Sequence, residues 1–236
     1  MVKPKETIKR SQIAIIPEVL PLVVLGAALA WNYQSFKWHE CAWLVLFFGM
    51  ALIRLPYHLQ TKRNNITVDE NTRQERILLA AIFLFMGLVP VLYLTTKGRA
   101  WDFLAFANYN LHTWIAVFGT CLIVPFLILF WRSHADLGRN WSPRLEMHDE
   151  HKLVTNGVYR YIRHPMYAAF WIAVISQPLL IQNWLAGGLI VVAFLSMYVL
   201  RIPKEEGMMI TKFGNEYVDY MHRTGRIFPK IRPMKS

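Results

Sequence analysis

The longest uncharged stretch of the chain covers residues 165–200 and reads PMYAAFWIAVISQPLLIQNWLAGGLIVVAFLSMYVL. A transmembrane α-helix needs about 20 apolar residues, whereas one helix of this length would measure roughly 54 Å at about 1.5 Å per residue. Pro178, Gln182, Asn183 and Gly187 interrupt the stretch. We therefore predict a tight hairpin of two short transmembrane helices, whose outer ends lie on the same side of the membrane.

Shorter apolar runs precede the hairpin at residues 13–31, 41–53, 77–96 and 111–131. The run at 41–53 is short for a membrane span, but Arg54 can extend its charged end toward the lipid headgroups and let the helix continue toward Leu59. The sequence therefore predicts an all-α polytopic integral membrane bundle of about six transmembrane helices. We expect one structural domain, in which residues 1–135 form scaffold helices and residues 136–236 form the functional region.

The chain carries 26 Lys and Arg residues against 15 Asp and Glu, a formal net charge of +11. Such a charge can indicate a nucleic-acid partner, but here the basic residues lie between the apolar runs. If the amino terminus is cytoplasmic, 23 of them fall in cytoplasmic segments, and only Lys37, Lys97 and Arg99 fall on the other side. Because cytoplasmic loops are enriched in Lys and Arg, we predict that both termini are cytoplasmic and that nucleic acid is not a partner.

Polar residues cluster at both ends of the predicted hairpin. Residues 153–167 before it read LVTNGVYRYIRHPMY, and Arg201, Glu205 and Glu206 follow it. The two groups must be neighbours in space, because both ends of a hairpin finish on the same side. Each group alone also has an ordinary explanation. Arg201 and Glu205, four positions apart, can form an interfacial ion pair, and the earlier residues can anchor a helix at the headgroups.

A possible metal-binding cluster lies just before this region. His148 and His151 flank Asp149 and Glu150, and such side chains can bind a metal. Because no cysteine and no third histidine is close in the sequence, a solvated loop is the better interpretation. We predict no metal site.

Taken together, the residues around the hairpin resemble the isoprenylcysteine carboxyl methyltransferases, and the related phospholipid N-methyltransferases share much of the pattern. The resemblance covers roughly residues 137–236. Its positions are Leu153, Val154, Gly157, Tyr159, Arg163, His164, Pro165 and Tyr167, then Arg201, Glu205 and Glu206, then Phe213, Gly214, Glu216, Tyr217 and Tyr220. The chain departs from the family pattern at Val158, where proline is common, and at Ala169, where glycine is common.

This resemblance implies an integral membrane enzyme that uses S-adenosylmethionine, held between the final helices and a cytoplasmic connector. The cofactor-binding residues that it implies are His151, Lys152, Leu153, Val154, Tyr159, His164, Pro165, Met166, Tyr167 and Glu205. It implies Arg201 as the catalytic and substrate-binding residue at the methyl acceptor. A loop residue near Arg144 corresponds more weakly to a further contact.

These residue types suit methyl transfer to a carboxylate. The sulfonium and the carboxylate lose their charges as the methyl group moves, so a pocket that excludes water and aligns the two groups favours the reaction. Arg201 can bind both carboxylate oxygens, and Glu205 can accept hydrogen bonds from the cofactor. A carboxylate is already ionised at a pH of about 7, so the reaction needs no general base.

The expected acceptor is amphipathic. A farnesyl or geranylgeranyl tail can enter between helices from the bilayer while its carboxylate reaches the cytoplasmic side. We therefore expect a lipophilic substrate, prenylcysteine-like or a phospholipid, together with membrane lipids as partners. The expected location is the bacterial inner membrane or the endoplasmic reticulum, with the site facing the cytoplasm.

Three alternatives stay open on the sequence alone. A phospholipid N-methyltransferase would need a neutral amine, and Arg201 would then meet the lipid phosphate. A sterol-reductase-like membrane enzyme has a similar Tyr and Arg-His pattern near its carboxyl end, but it would bind NADPH. A non-enzymatic scaffold or transporter is disfavoured, because Glu18 is the only charge in the predicted spans and ion pathways usually need more.

Overall fold

Apolar helices form the body of the protein. The computed structural model describes residues 25–61, 66–69, 72–148 and 152–230. Its longer helices are α1 (Trp38–Thr61), α2 (Arg73–Thr96), α3 (Thr113–Asn140), α4 (Pro165–Leu180), α5 (Trp184–Phe213) and α6 (Asn215–Arg223). Short 3₁₀ turns occur at Tyr33–Ser35, Ala105–Ala107 and Gly157–Arg160. Single π-helical turns lie within α2 at Leu84–Leu88 and at the start of α5 at Trp184–Gly188.

The predicted helical membrane bundle is confirmed. Helices α1, α2, α3 and α5 are long and apolar enough to cross a membrane, and α4 is a shorter apolar helix of 16 residues. Helix α1 extends well beyond the apolar run at 41–53 and passes Leu59. The predicted span at 13–31 lies mostly outside the described residues. The total of six spans, the cytoplasmic position of both termini and the division at residue 135 therefore stay predictions.

Helices α4 and α5 form the predicted hairpin, and polar and glycine residues build its turn. Asn183 caps α5, because its Oδ1 accepts hydrogen bonds from the N–H groups of Leu185 (3.0 Å) and Ala186 (2.9 Å). Gly187 lies so close to the carbonyl oxygen of Ile181 that a Cβ atom does not fit there. The residues that interrupt the apolar stretch thus reverse the chain direction.

The second helix of the hairpin is longer than predicted. We expected two short helices, but α5 runs for 30 residues from Trp184 to Phe213. Pro203 lies inside α5 and removes one backbone hydrogen bond without ending the helix. The helix continues because Lys204 and Glu205 favour helix and because Glu206 is anchored by ion pairs described below. The extension carries the polar residues that follow the hairpin.

A short two-stranded ribbon accompanies the helical bundle. Strand β1 (Ile66–Asp69) pairs with strand β2 (Glu146–His148) in antiparallel register, and Val68 is opposite Met147. The ribbon joins the loop after α1 to the loop after α3. The predicted scaffold and functional regions are therefore hydrogen-bonded to each other beside the site.

Aromatic residues form the core where α3 meets the hairpin. Phe126 and Phe130 of α3, Phe170 of α4 and Phe194 of α5 are buried and lie in contact with one another as a chain of rings. Burying a phenylalanine side chain contributes about 1.5–3 kcal/mol. This packing fixes the relative positions of the helices whose ends carry the site.

Candidate active site

A cavity lies between the ends of α4 and α5 and the connector, which we define as residues 141–164. Its volume is about 1230 Å³, including the part that is open to solvent. All predicted site residues that the structure describes line it: Lys152, Leu153, Val154, Tyr159, His164, Pro165, Met166, Tyr167, Arg201 and Glu205. His151 lies outside the described residues, as do Asp149 and Glu150 of the metal alternative. Arg144 also lines the cavity, and its side chain is exposed.

Arg201 is held in place by two other parts of the chain. Its Nη1 lies 3.0 Å from Oε1 of Glu75 at the start of α2, and its Nη2 donates a hydrogen bond of 3.2 Å to the carbonyl oxygen of Pro143. Arg201 and Glu75 are both buried. The Nε of Arg201 is buried without a hydrogen-bond acceptor among the described residues, and Oε2 of Glu205 lies 4.0 Å away. Arg201 also lines the cavity, and its guanidinium has more N–H donors than these two partners use.

Glu205 is the more accessible of two adjacent carboxylates. Its Oε2 accepts a hydrogen bond of 2.8 Å from the hydroxyl of Tyr167, and its Oε1 lies 3.8 Å from Nδ1 of His164. The side chain is 34% exposed. The ring of His164 also packs edge-on against the ring of Tyr167. The residues at the two ends of the hairpin thus meet, and Glu205 can still accept hydrogen bonds from a ligand.

Glu206 ties three parts of the chain together. Its carboxylate accepts a hydrogen bond of 2.7 Å from Nε of Arg163 and one of 2.8 Å from Nη2 of Arg226, and it lies 3.1 Å from Nε2 of His164. Only 7% of the side chain is exposed. A buried carboxylate with three such partners has its hydrogen-bonding capacity filled. Its role is therefore to hold the site together.

The C-terminal segment, residues 224–230, is hydrogen-bonded to the residues that precede α4. The N–H groups of Arg163 and His164 donate hydrogen bonds of 2.9 Å to the carbonyl oxygens of Gly225 and Arg226. A side-chain hydrogen bond of 2.9 Å also joins Nη1 of Arg163 to the carbonyl oxygen of Thr224. The C-terminal segment therefore positions the backbone of His164, and Glu206 positions its ring.

Buried tyrosines support the connector. The hydroxyl of Tyr159 donates to the carbonyl oxygen of Ser133 at 3.2 Å, and the hydroxyl of Tyr220 donates to the carbonyl oxygen of Tyr159 at 2.6 Å. Burial raises the pKa of Tyr159 and the pKa of Tyr220 well above the ordinary value. Both hydroxyls therefore stay protonated and keep donating at neutral pH. Because the hydroxyl of Tyr159 is hydrogen-bonded to Ser133, a ligand would contact the ring of Tyr159 instead.

The turn before Tyr159 explains one departure from the family pattern. Gly157 has a φ of +55°, and the carboxylate of Asp136 occupies the space that a Cβ atom would need. The N–H of Val158 donates a hydrogen bond of 2.8 Å to Oδ2 of Asp136. A proline at position 158 has no N–H and could not make this bond. In this chain Val158 therefore anchors the connector to α3.

Two charged residues of the site, Glu75 and Arg54, were not predicted from the sequence. Glu75 follows the helix cap Thr72 and belongs to a helix distant in sequence from Arg201, so nothing in the motif indicates that the two pair. Arg54, which we expected to reach toward the headgroups, lines the cavity, and its guanidinium carbon lies 5.1 Å from the centroid of the Trp141 ring. For Arg54, an isolated charge at the edge of an apolar run was the available signal, whereas Glu75 lies between Arg73 and Arg76 and does not stand out.

The polar and apolar groups that line the cavity fit the predicted cofactor. Glu205 lines this cavity, and its Oε1 can accept a hydrogen bond from an ammonium or a ribose hydroxyl. Leu153, Val154 and Met166 supply apolar wall beside the tyrosine rings.

Comparisons with known proteins agree with the sequence pattern. The model of the isoprenylcysteine carboxyl methyltransferase (ICMT) family matches residues 117–211. Protein-S-isoprenylcysteine O-methyltransferase B of Arabidopsis thaliana is 32% identical over 150 residues, which are 63% of this chain and 76% of that protein. Protein-S-isoprenylcysteine O-methyltransferase of Homo sapiens is 30% identical over 230 residues, 96% of this chain and 77% of that protein.

A solved structure shares the fold. The eukaryotic intramembrane Ras methyltransferase ICMT superposes with a TM-score of 0.51 at 20% sequence identity, over 90% of this chain and 76% of that chain. At this identity the likeness concerns the arrangement of helices alone.

Proposed function

The chain belongs to the isoprenylcysteine carboxyl methyltransferase family, and we propose that it transfers a methyl group from S-adenosylmethionine to the carboxylate of a prenylated cysteine. The observation that carries the proposal is the meeting of the two hairpin ends. Arg201 and Glu205 face His164 and Tyr167 across one cavity. A cation suited to an acceptor carboxylate and an anion suited to a cationic donor therefore lie one helical turn apart.

The donor is proposed to bind against the connector. When bound, S-adenosylmethionine supplies an electrophilic methyl group on a sulfonium. Glu205 would accept hydrogen bonds from its ammonium or hydroxyl groups, and Tyr167 holds that carboxylate in place. The other proposed contacts are His151, Lys152, Leu153, Val154, Tyr159, His164, Pro165 and Met166. Those of them that the structure describes all line the cavity, whereas His151 lies outside the described residues.

Arg201 is proposed to position the acceptor carboxylate. Arg201 lines the cavity, and its ion pair with Glu75 fixes the guanidinium. The pairing with Glu75 also offsets part of the charge of Arg201. Arg201 therefore withdraws less electron density from the attacking oxygen than an isolated guanidinium would. Its role is orientation, since the acceptor is already ionised.

The prenyl tail is proposed to lie on the apolar side of the cavity. Leu79 and Ile82 of α2, Phe170 of α4 and Met197 of α5 line that side. Each buried CH₂ group of a prenyl chain contributes about 0.8 kcal/mol, so this wall can hold the tail strongly. The same apolar wall excludes water from the reacting charges, which favours their neutralisation. We propose that the site opens to the cytoplasmic side of a bacterial inner membrane or of the endoplasmic reticulum.

Transfer of tritiated methyl to N-acetyl-S-farnesylcysteine by the purified chain in detergent tests the proposal. We expect a base-labile product, because a methyl ester hydrolyses and a methylamine does not. Label on a phospholipid amine but none on the prenylcysteine would reassign the acceptor. Thermal stabilisation by NADPH instead of S-adenosylhomocysteine would reject the methyltransferase itself.

A further inference from the structure

Arg54 is a charged residue of the cavity wall that belongs to no part of the family motif. It lies on α1, far in sequence from residues 117–211 that match the family model. Its side chain is half-buried and lines the cavity, and its guanidinium carbon lies 5.1 Å from the centroid of the buried Trp141 ring. The indole ring of Trp141, which comes from the connector, holds this cation toward the site through a cation–π contact.

The two buried guanidinium groups of the same wall have anionic partners. Arg201 pairs with Glu75, and Arg163 pairs with Glu206. Arg54 differs, because no carboxylate of the described residues pairs with it and none of their hydrogen-bond acceptors receives its N–H groups. Among the described residues, Arg54 lies over the Trp141 ring and is repelled by the positive charge of Arg201.

A cation that is partly removed from water and faces a second cation is unfavourable without an anion. The cation–π contact with Trp141 uses none of the five N–H donors of Arg54. Those donors match the geometry of a carboxylate, which a guanidinium can bind through two parallel hydrogen bonds. Arg201 is less available for two such parallel bonds, because its Nη1 and Nη2 already contact Glu75 and Pro143.

We infer that Arg54 binds a carboxylate of a ligand in this cavity. The inference rests on the proposed function, because both ligands of that reaction carry a carboxylate: the amino-acid end of the methyl donor and the prenylcysteine acceptor. The chemistry of recognition is the same for both sources. The two sources can be distinguished by measurement, because Arg54 would affect the dissociation constant of the donor in one case and the KM of the acceptor in the other.

The experiment compares the full-length wild-type chain with Arg54→Gln and Arg54→Lys. Arg132→Gln is the matched control, because Arg132 also lies over a tryptophan ring, Trp131, at 5.6 Å, but it is 43% exposed and does not line the cavity. Calorimetry measures the dissociation constant of S-adenosylhomocysteine and of its analogue that lacks the carboxylate. Methyl-transfer assays measure the KM for N-acetyl-S-farnesylcysteine.

If Arg54 binds the methyl donor, Arg54→Gln weakens the binding of S-adenosylhomocysteine about tenfold or more and leaves the binding of the analogue unchanged. If it binds the acceptor, the KM rises about tenfold while both dissociation constants stay within about twofold. Arg54→Lys keeps the charge without the planar donor pair, so it gives a smaller loss in the same constant. The Arg132→Gln control changes none of them.

Unchanged constants in Arg54→Gln would overturn the inference. If Arg54→Gln does not fold, wild-type constants in Arg54→Lys overturn it equally. Failure of the proposed function is separately visible. A wild-type chain that methylates no prenylcysteine but binds S-adenosylhomocysteine through Arg54 would reject the substrate and retain the carboxylate site.

Discussion

Two adjacent glutamates at the end of the hairpin have different roles, and the surroundings of each side chain determine its role. Glu205 has one short hydrogen bond, from Tyr167, and is about a third exposed, whereas Glu206 is surrounded by Arg163, His164 and Arg226 and is almost fully buried. One carboxylate is therefore available to a ligand and the other is part of the framework. The family pattern contains both acids, and it does not by itself distinguish their roles.

We predict that substitutions at the two acids have separate effects. Glu206→Gln should lower the free energy of unfolding in detergent by about 3 kcal/mol or more, because it leaves the largely buried Arg163 without its anion. Glu205→Gln should keep the stability close to that of the wild type. It should weaken the binding of S-adenosylhomocysteine about tenfold, since a hydrogen bond to a charged group is lost. Thermal unfolding and calorimetry on both variants measure this. A stable Glu206→Gln with weakened ligand binding would reverse the assignment.

The ion pair between Glu75 and Arg201 gives a second prediction at this scale. Glu75→Gln keeps the shape of the side chain but removes its charge, so the guanidinium loses its fixed orientation. We expect kcat for methyl transfer to fall about tenfold, with the dissociation constant of S-adenosylhomocysteine within about twofold.

Gln74→Ala is the control for Glu75→Gln, because Gln74 is exposed on the same helical turn and accepts a hydrogen bond from Lys204 at 2.5 Å. If ligand binding and kcat fall equally in Glu75→Gln, Glu75 stabilises the whole site and does not specifically orient Arg201.

At the scale of helices, the hairpin turn depends on one close backbone approach. A Cβ atom at Gly187 would collide with the carbonyl oxygen of Ile181, whereas at Gly207, on the same helix, it would meet nothing within 4 Å. We expect Gly187→Ala to lower the free energy of unfolding by about 2 kcal/mol, since backbone must move. Gly207→Ala should be neutral or stabilising by up to about 1 kcal/mol. Equal stability of the two variants would show that the turn tolerates a different packing.

The elements that could be predicted from sequence are those set by local composition. The length of the apolar stretch and its polar interruption predict the hairpin, because backbone groups in lipid must be satisfied within a helix. The hairpin in turn predicts that Arg201 and Glu205 meet His164 and Tyr167. The predicted end of α5 was wrong. The apolar pattern stops near residue 200, whereas the helix continues to Phe213 and ion pairs of Glu206 stabilise this extension.

Contacts between distant elements could not be predicted in this way. Glu75 and Arg54 reach the site through the packing of α2 and α1, and a single sequence contains no signal for which helices are neighbours. The ribbon between β1 and β2 was missed for a related reason. Its strands have four and three residues, so their pairing depends on where α1 and α3 place them rather than on strand propensity.

For the whole molecule, the two ends of the bundle have different chemistry. One end carries the cavity with Arg54, Glu75 and Arg201. The other end carries the hairpin turn, where Nδ2 of Asn183 donates hydrogen bonds to Asn108 at 2.9 Å and to the carbonyl oxygen of Leu104 at 2.8 Å. Lys97 and Glu40 pair there at 2.5 Å. Most of the Lys and Arg residues that the structure describes belong to segments at the cavity end.

This asymmetry predicts the orientation in the membrane. Cytoplasmic loops are enriched in Lys and Arg, so the cavity end should face the cytoplasm, where a soluble methyl donor is available. A variant lacking Cys41 and Cys121, both exposed, provides the background for single cysteines at Ala100 and Arg160. Ala100 is exposed in the loop after α2, and Arg160 is exposed on the connector.

We expect a membrane-impermeant maleimide applied to intact cells to label Ala100→Cys and to leave Arg160→Cys unlabelled until the membrane is permeabilised. If the protein resides in the endoplasmic reticulum, the same reagent on sealed microsomes should label Arg160→Cys first. Labelling of both sites in sealed membranes would mean that they lie on one side, and the reverse pattern would place the cavity away from the cytoplasm. The reverse pattern would require the soluble methyl donor to cross the membrane before it reacts, and it would contradict the orientation that the charge distribution of the chain predicts.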